Sequence, residues 1–421
     1  MFKFIHAADI HLDSPLQGLE RYEGAPVERI RGATRQALKN LIDFAVSEAV
    51  DLVLMAGDLY DGDWRDYNTG LFFAAEMSKL REAGIRVFII SGNHDAASQI
   101  SRQLRMPENV RQLSSRKPET VLLHDLGVAI HGQGFSKAAI TDDLSLAYPI
   151  AVSGFFNIGM LHTSATGREG HEPYAPCTTA GLIAKGYDYW ALGHVHRREV
   201  LCETPLILFP GNLQGRHIRE TGGKGCTLVT VDGGEIVSAE HRELDVIRWC
   251  VKDVDASGQE NGADIMDLVT AALRSELEEN PAHLLAVRLR ITGACRAHPE
   301  LVLNSERWIN DLRMAATDIS LGNVWVEKVL LHTEMAADLG EMLKRDDPIG
   351  GLLRSIQQLG ADDENLTRLI DEFADLKRRL PVELLHGERG IGLENPDSRR
   401  ELIETVKQML MGRLLAGGKG A

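Results

Sequence analysis

Along the first 245 residues the apolar positions form short unbroken runs, separated by stretches in which they recur at about the helical period. "FKFIHAAD" reads as a buried strand, Val27 to Val50 as a helix and "DLVLMAGD" as a second strand. Asn68 to Glu82 reads as a helix and "RVFIISG" as a third strand. Unbroken apolar strands alternating with amphipathic helices predict a sheet with parallel character, covered on both faces. Shorter runs follow: "TVLLHD", "GVAIHG", "FNIGMLHT", "YDYWALGH", "PLILFPG" and "CTLVTV". The block, residues 1–245, reads as an α/β sandwich.

The pattern changes near Leu244. "VIRWCVKDVD", "HLLAVRLRIT" and "NVWVEKVLLHT" read as strands, separated by helices near Ile265–Glu278 and Pro299–Ala316. This β-α-β-α-β stretch, residues 246–335, is large enough to be a domain. Residues 336–421 turn helical and acidic, with apolar stripes at Leu366, Leu369, Ile370, Phe373, Leu376 and Leu380. A further stripe holds Leu402, Ile403, Val406, Met409, Leu410 and Leu414. Packing within the chain and docking of a partner both fit such stripes.

Composition narrows the classes. At 421 residues the chain exceeds one core, and no apolar run approaches the length needed to span a bilayer. The N-terminus enters a strand at once and lacks the pattern of a signal peptide. Five dispersed cysteines, with no Cys-x-x-Cys, suit reduced thiols in a cytoplasm and disfavour a thiolate zinc site. With 46 Lys/Arg against 61 Asp/Glu the net charge is −15. An acidic chain is a poor general nucleic-acid binder, so any polyanion must be met locally or through metal ions.

The chemistry gathers at strand ends. The first strand ends in "ADIHLD", presenting Asp9 and His11; the second in "GDLYD", presenting Asp58. The third ends in "SGNHD", with Asn93, His94 and Asp95; "MLHTS" brings His162 and "LGHVH" brings His194 and His196. Side chains two apart on an extended chain share a side, and carboxyl ends of strands are where α/β sheets form their sites. Carboxylate, amide and imidazole ligands suit Mn²⁺, Fe²⁺ or Zn²⁺. Seven candidates exceed the needs of one ion, so two ions are implied, with Asp58 as the natural bridge. His94 is the candidate for an imidazole that moves protons rather than binding metal. Asp95 would orient it or fix the turn.

The order D-x-H, GD, GNHD, H and GHxH is similar to that of the calcineurin-like metallophosphoesterases. "IHAADIHLD", "MAGDLYD", "ISGNHD", "LGHVH" and "FPGNLQGRHIRETGGKGC" resemble the SbcD-type DNA repair exonucleases, in particular their YhaO-like branch. That resemblance implies a β-sandwich flanked by helices, a small α+β capping domain and a helical C-terminal region. It implies one ion held by Asp9, His11, Asp58 and His196, a second held by Asp58, Asn93, His162 and His194, and a catalytic His94. It further implies a 3′-to-5′ DNA exonuclease with endonuclease activity, Mn²⁺ as the preferred ion, dimerisation, and partnership with an SMC-like coiled-coil ATPase (SbcC-like or YhaN-like). One position departs from some relatives: Asp61 stands where they carry a second histidine, although the bacterial SbcD-like form also has aspartate there.

Blander readings compete at several places. His6, His124 and His131 sit in strand-like runs and suit hydrogen-bonded core positions. "GRHIRETGGKG" fails the Walker pattern at Ile218 and Gly225. Its Arg216 and His217 fit either a contact to substrate phosphates or a solvated turn. Arg102, Arg105, Arg111, Arg116 and Lys117 fit either a DNA-backbone contact or the solvated face of a helix. For the whole chain, a two-metal phosphodiesterase acting on DNA stands against two alternatives. One is a small-molecule metallophosphoesterase of cyclic or dinucleotide substrates; the other is a scaffold for an ATPase that has lost catalysis.

Overall fold

A computed structural model describes residues 1–14, 25–61, 67–97, 105–137, 139–165, 175–336, 343–344, 346–358, 406–407 and 410. Arg102 and the stripe from Leu366 to Leu380 lie outside them, as does most of the stripe from Leu402 to Leu414. By its contacts the chain divides into two units, Met1–Cys250 with Asn280–Ala286, and Val251–Glu279 with Val287–Ala421.

The first unit opens with β1 (Phe2–Ala7), α1 (Val27–Ser47), β2 (Leu52–Ala56), α2 (Tyr67–Glu82), β3 (Arg86–Ile90), the one-turn α3 (Asn93–Ala97) and β4 (Val110–Gln112). It continues through β5 (Glu119–Leu123), β6 (Val128–Gln133), β7 (Phe156–His162), α4 (Thr179–Ile183), β8 (Tyr189–Gly193), β9 (Glu199–Glu203), β10 (Leu206–Phe209), β11 (Gly225–Asp232) and β12 (Glu235–Glu243). Two six-stranded mixed sheets result, ordered β12-β11-β1-β2-β3-β4 and β5-β6-β7-β8-β10-β9. This is the α/β fold of a helix-flanked sandwich.

Period-two alternation explains how one strand serves two cores. Leu52, Leu54 and Ala56 of β2 face the second sheet, packing with Phe4, Ile158, Met160 and Tyr189. Val53 and Met55 face the other way, onto Leu38, Leu41 and Ile42 of α1 and Phe73 and Met77 of α2. Because β1, β2 and β3 are mutually parallel, as are β7 and β8, their carboxyl ends emerge together. His6 and His131 are the satisfied core histidines that their strand-like settings suggest. His6 meets Tyr189 Oη at 2.9 Å and the Leu192 carbonyl at 3.0 Å; His131 meets Thr120 Oγ1 and Asn157 Oδ1. His124 differs: it is exposed at the end of β5.

The arginine-bearing stretch is no helix where it is described. Arg105 is exposed before a turn, Arg111 lies on the edge strand β4 and meets Glu119 at 2.5 Å, and Arg116 and Lys117 are exposed in a bend. The second sheet-forming block carries β13 (Ile247–Asp255), α5 (Gly262–Glu279), β14 (Leu284–Cys295), α6 (His298–Leu303), α7 (Ser305–Ser320) and β15 (Val324–Met335). Its sheet runs β13-β14-β15. Ile265, Val269 and Leu273 bury one stripe of α5, and Trp308, Leu312 and Ala316 one stripe of α7. The helix expected over Pro299–Ala316 is interrupted at Asn304, whose φ of −123° lies outside the helical range. Farther on, Leu353 and Ile356 of α8 (Pro348–Gln358) pack with Leu410.

Candidate metal centre

The strand ends turn sharply. Asp9, His11 and Asp58 take φ of 51°, 45° and 51°, and His194 takes 102°. Left-handed backbone at non-glycine residues costs of order 1–3 kcal/mol each and persists only where the surroundings impose it. Here they do: the Asp9, His11 and Leu12 amides donate to the carbonyls of Gly57, Asp58 and Leu59 at 2.9–3.0 Å, lacing the two loops together. The His194 amide donates to both oxygens of Asp9, at 3.0 and 3.1 Å.

Close approach of the two sheets completes the corner. His162 Nδ1 donates to the Ala56 carbonyl at 2.9 Å, and its Nε2 then lies 3.0 Å from Asn93 Oδ1 and 3.4 Å from Asp58 Oδ2. Across the site His196 Nδ1 donates to Glu220 at 2.6 Å, and its Nε2 faces His11 Nε2 at 3.2 Å. His11 Nδ1 points toward Asp61 at 3.6 Å, beyond hydrogen-bond length. Three groups have donor atoms within 4.8 Å of one another: His11, Asp61 and His94, and the two clusters formed by Asp9, His11 and His196 and by Asp58, His162 and His194. Asp58 Oδ2 reaches toward both, standing 3.9 Å from His11 Nε2.

This donor set fits cations. His162 commits Nδ1 to a carbonyl and His196 commits Nδ1 to a carboxylate, so in both rings Nε2 is the nitrogen turned toward the site. Facing carboxylate and amide oxygens, those nitrogens are placed to share a cation, or to hold protons in its stead. The electrostatics agree. Burial opposes a charge on His162, yet Asp58 outweighs it and raises the imidazole pKa to about 9. Burial lifts Asp9 to about 6 against the pull of His196 and His162. A pocket this negative favours a divalent cation over protons, and binding would displace them.

His94 stands beside these clusters. Its amide donates to Asp58 Oδ1 at 2.9 Å, and its Nδ1 donates to Asp61 Oδ1 at 2.7 Å. That bond raises the imidazole pKa from its ordinary value, with burial opposing. Burial would lift Asp61, but His11 close by and hydrogen bonds from His94 and Ser14 hold it well below the usual carboxylate range. Of the two roles open to it, Asp95 takes that of fixing the turn. Its carboxylate accepts the amides of Leu59, Tyr60 and Gly92 at 2.8–3.1 Å, tying the ends of β2 and β3 together.

Of the candidate phosphate contacts, Arg216 is largely buried and lies 3.5 Å from both Asp61 and Glu220, while His217 is half exposed beside Glu220. Arg105 is exposed on the approach to β4. Glu220 itself escaped the sequence reading. It lies 24 residues from His196 in an aperiodic loop, and the one signal was an acidic residue inside "GRHIRETGGKG".

The model of the calcineurin-like phosphoesterase family matches residues 2–198, and that of the metallophosphoesterase YhaO middle domain matches residues 249–334. The chain is 36% identical over 394 residues to the "uncharacterized metallophosphoesterase YhaO" of Bacillus subtilis (strain 168), covering 92% of each chain. The chain belongs to the calcineurin-like metallophosphoesterases. More distant relatives of this phosphoesterase include the DNA double-strand break repair protein Mre11 of Methanopyrus kandleri. Identity there is 28% over 284 residues, covering 61% of this chain and 60% of the relative. The Mre11 of Sulfolobus acidocaldarius is 23% identical over 410 residues, covering 92% and 99%. A calcineurin-like phosphoesterase is a metal-dependent hydrolase using divalent ions, and the two clusters supply candidate ligands. No helix among the described residues is long and apolar enough to cross a membrane.

Proposed function

We propose that the protein is a two-metal-dependent DNA phosphodiesterase, an exonuclease with endonuclease activity, using Mn²⁺ in DNA repair in the cytoplasm. It works with an SMC-like coiled-coil ATPase, as a dimer. The observation that carries the reading is the pair of clusters joined through Asp58, with His94 held at 2.7 Å by Asp61 at their margin. The Mre11 relatives favour DNA among phosphodiester substrates. The chain's acidic balance agrees with a substrate met at the ions rather than along a basic surface.

Asp9, His11, Asp58 and His196 would hold one ion, and Asp58, Asn93, His162 and His194 the other. When bound, the ions supply an activated water and neutralise charge on the phosphoryl group. The side chains do the rest. Asp58 fixes the His94 backbone, Asp61 keeps the His94 imidazole protonated and oriented, and His94 hands its proton to the departing oxygen.

The reading is tested on end-labelled linear duplex DNA with Mn²⁺ or with EDTA. Wild-type protein is expected to shorten it only with Mn²⁺, and His94→Gln to do so about 100-fold more slowly or worse. Intact DNA beside cleavage of bis-p-nitrophenyl phosphate would move the substrate class to small diesters.

The Asp61–His94 bond sets a pH dependence. A proton-donating His94 is active below its raised pKa, so activity falls as pH climbs through that value. Asp61→Asn removes the group that raises it, and the alkaline limb of the kcat/KM profile is expected to move to lower pH. An unmoved limb would remove Asp61 from this role.

A further inference from the structure

We propose that Glu220 is the positioning residue of His196, fixing which ring nitrogen is free to bind metal. The loop between β10 and β11 delivers a carboxylate to a place where water scarcely reaches: the Glu220 side chain is 6% exposed. Its Oε1 accepts from His196 Nδ1 at 2.6 Å. Its Oε2 accepts from the Arg216 amide at 2.7 Å and from Asn212 Nδ2 at 2.9 Å. Oε2 therefore serves the loop, while Oε1 serves the imidazole and takes a longer contact from Arg216 Nη2 at 3.5 Å.

The loop is anchored well enough to hold that oxygen still. Lys224 Nζ donates to the His196 carbonyl at 3.0 Å, gripping the ligand's backbone from the far end of the loop. Gln214 accepts the Val246 amide at 2.9 Å and donates to the Ile247 carbonyl at 2.7 Å. Trp249 Nε1 donates to the Gly215 carbonyl at 3.0 Å. Within the same loop Arg216 reaches 3.5 Å from Asp61, which holds His94.

A carboxylate has only acceptors, so His196 must place its proton on Nδ1 to meet it. Nε2 is then bare and directed at His11 Nε2, 3.2 Å away. Such outer partners orient a ligating imidazole and increase its basicity. An amide cannot do the same work. The glutamine oxygen is drawn to the two donors of the loop, which turns its NH₂ toward His196 Nδ1. That favours the opposite tautomer, with the proton on Nε2, where the ion would bind. The loop's two short hydrogen bonds end on Oε2; on the Oε1 side the short bond is the histidine's, with Arg216 Nη2 farther off at 3.5 Å.

The inference rests on the two-ion reading of the site, and the test separates the two. Mn²⁺ binding is titrated by EPR on wild type, Glu220→Gln, His196→Ala and the double variant, with the melting temperature of each metal-free protein beside it. Wild type is expected to bind two Mn²⁺. Glu220→Gln is expected to weaken one of them about 10- to 100-fold, and the double variant to match His196→Ala. Equal binding by Glu220→Gln and wild type overturns the role of Glu220 alone, as does a double variant weaker than His196→Ala by the full Glu220→Gln factor. Wild type that binds no Mn²⁺ overturns both readings. A second measurement needs no variant: ¹⁵N-histidine NMR of the metal-free protein above pH 8 is expected to show the His196 proton on Nδ1. A proton on Nε2 overturns the inference.

Discussion

Asp58→Asn is expected to remove Mn²⁺-dependent phosphodiester cleavage, lowering the rate by roughly a thousandfold or more. The reason lies in the division of labour between its two oxygens. Oδ1 accepts the His94 amide at 2.9 Å, whereas Oδ2 stands 3.4 Å from His162 Nε2 and 3.9 Å from His11 Nε2, one histidine from each cluster. In the variant the amide oxygen stays with the His94 N–H, because an NH₂ there would set donor against donor. The NH₂ then falls at the Oδ2 position, offering hydrogens where two cations require a shared lone pair. Charge is lost as well, in a pocket where Asp58 is 1% exposed. Metal ions supply several kcal/mol of transition-state stabilisation in such centres, and about 4 kcal/mol corresponds to a thousandfold in rate. Cleavage and Mn²⁺ titration on the same samples check it. A variant within tenfold of wild type in Mn²⁺-dependent rate would show that Asp58 is not the shared ligand.

Why the ligands were legible in the sequence and their supports were not follows from where each sits. Asp9, Asp58, Asn93 and His162 each close an apolar run, and the run announces both the strand and its end. Parallel pairing of β1, β2 and β3, which the alternation with helices predicts, then brings those ends together. Glu220 and Asp61 have no such marker, since loops carry no period and their partners are distant in sequence. Asp61 stood out only as a departure from some relatives, without its partner His94. For Asp95 the sequence left two roles open, and the structure selects the fixing of the turn, through the amides of Leu59, Tyr60 and Gly92.

The strands that escaped prediction are edge or near-edge ones. β4, β9 and β12 have mostly partly or fully exposed residues, and "EIVSAEHRE" has no apolar run to betray it. Their order comes from backbone pairing with a buried neighbour, as β12 pairs along β11, and pairing leaves little trace in side-chain type. The split of the helix over Pro299–Ala316 at Asn304 is equally a backbone event, invisible to an apolar period that runs on across it.

A backbone contact at the edge of the site yields the largest stability prediction. Gly193 ends β8 against the end of β2, and a Cβ there would lie 1.9 Å from the Ala56 carbonyl oxygen and 2.9 Å from His162 Nδ1. Neither neighbour has room to yield. Ala56 is fully buried in the core between the sheets, and its carbonyl already accepts the His162 ring at 2.9 Å. Gly193→Ala must therefore move the two strand ends apart by more than an ångström and break that hydrogen bond. Overpacking of this kind costs about 1–3 kcal/mol, and a buried carbonyl stripped of its partner about 1–3 kcal/mol more. Together roughly 2–6 kcal/mol is expected, a fall of about 10 °C in melting temperature for a unit of this size. The damage reaches chemistry because it frees the His162 ring. Loss of the Nδ1 donor contact lets the proton move to Nε2, so Mn²⁺ affinity is expected to fall with stability. Calorimetry and Mn²⁺ titration of the Gly193→Ala protein measure both. A melting temperature within a degree of wild type would mean that the sheets do not meet this closely at the site, and that the absent side chain at the start of "GHVH" answers to something other than contact between the sheets.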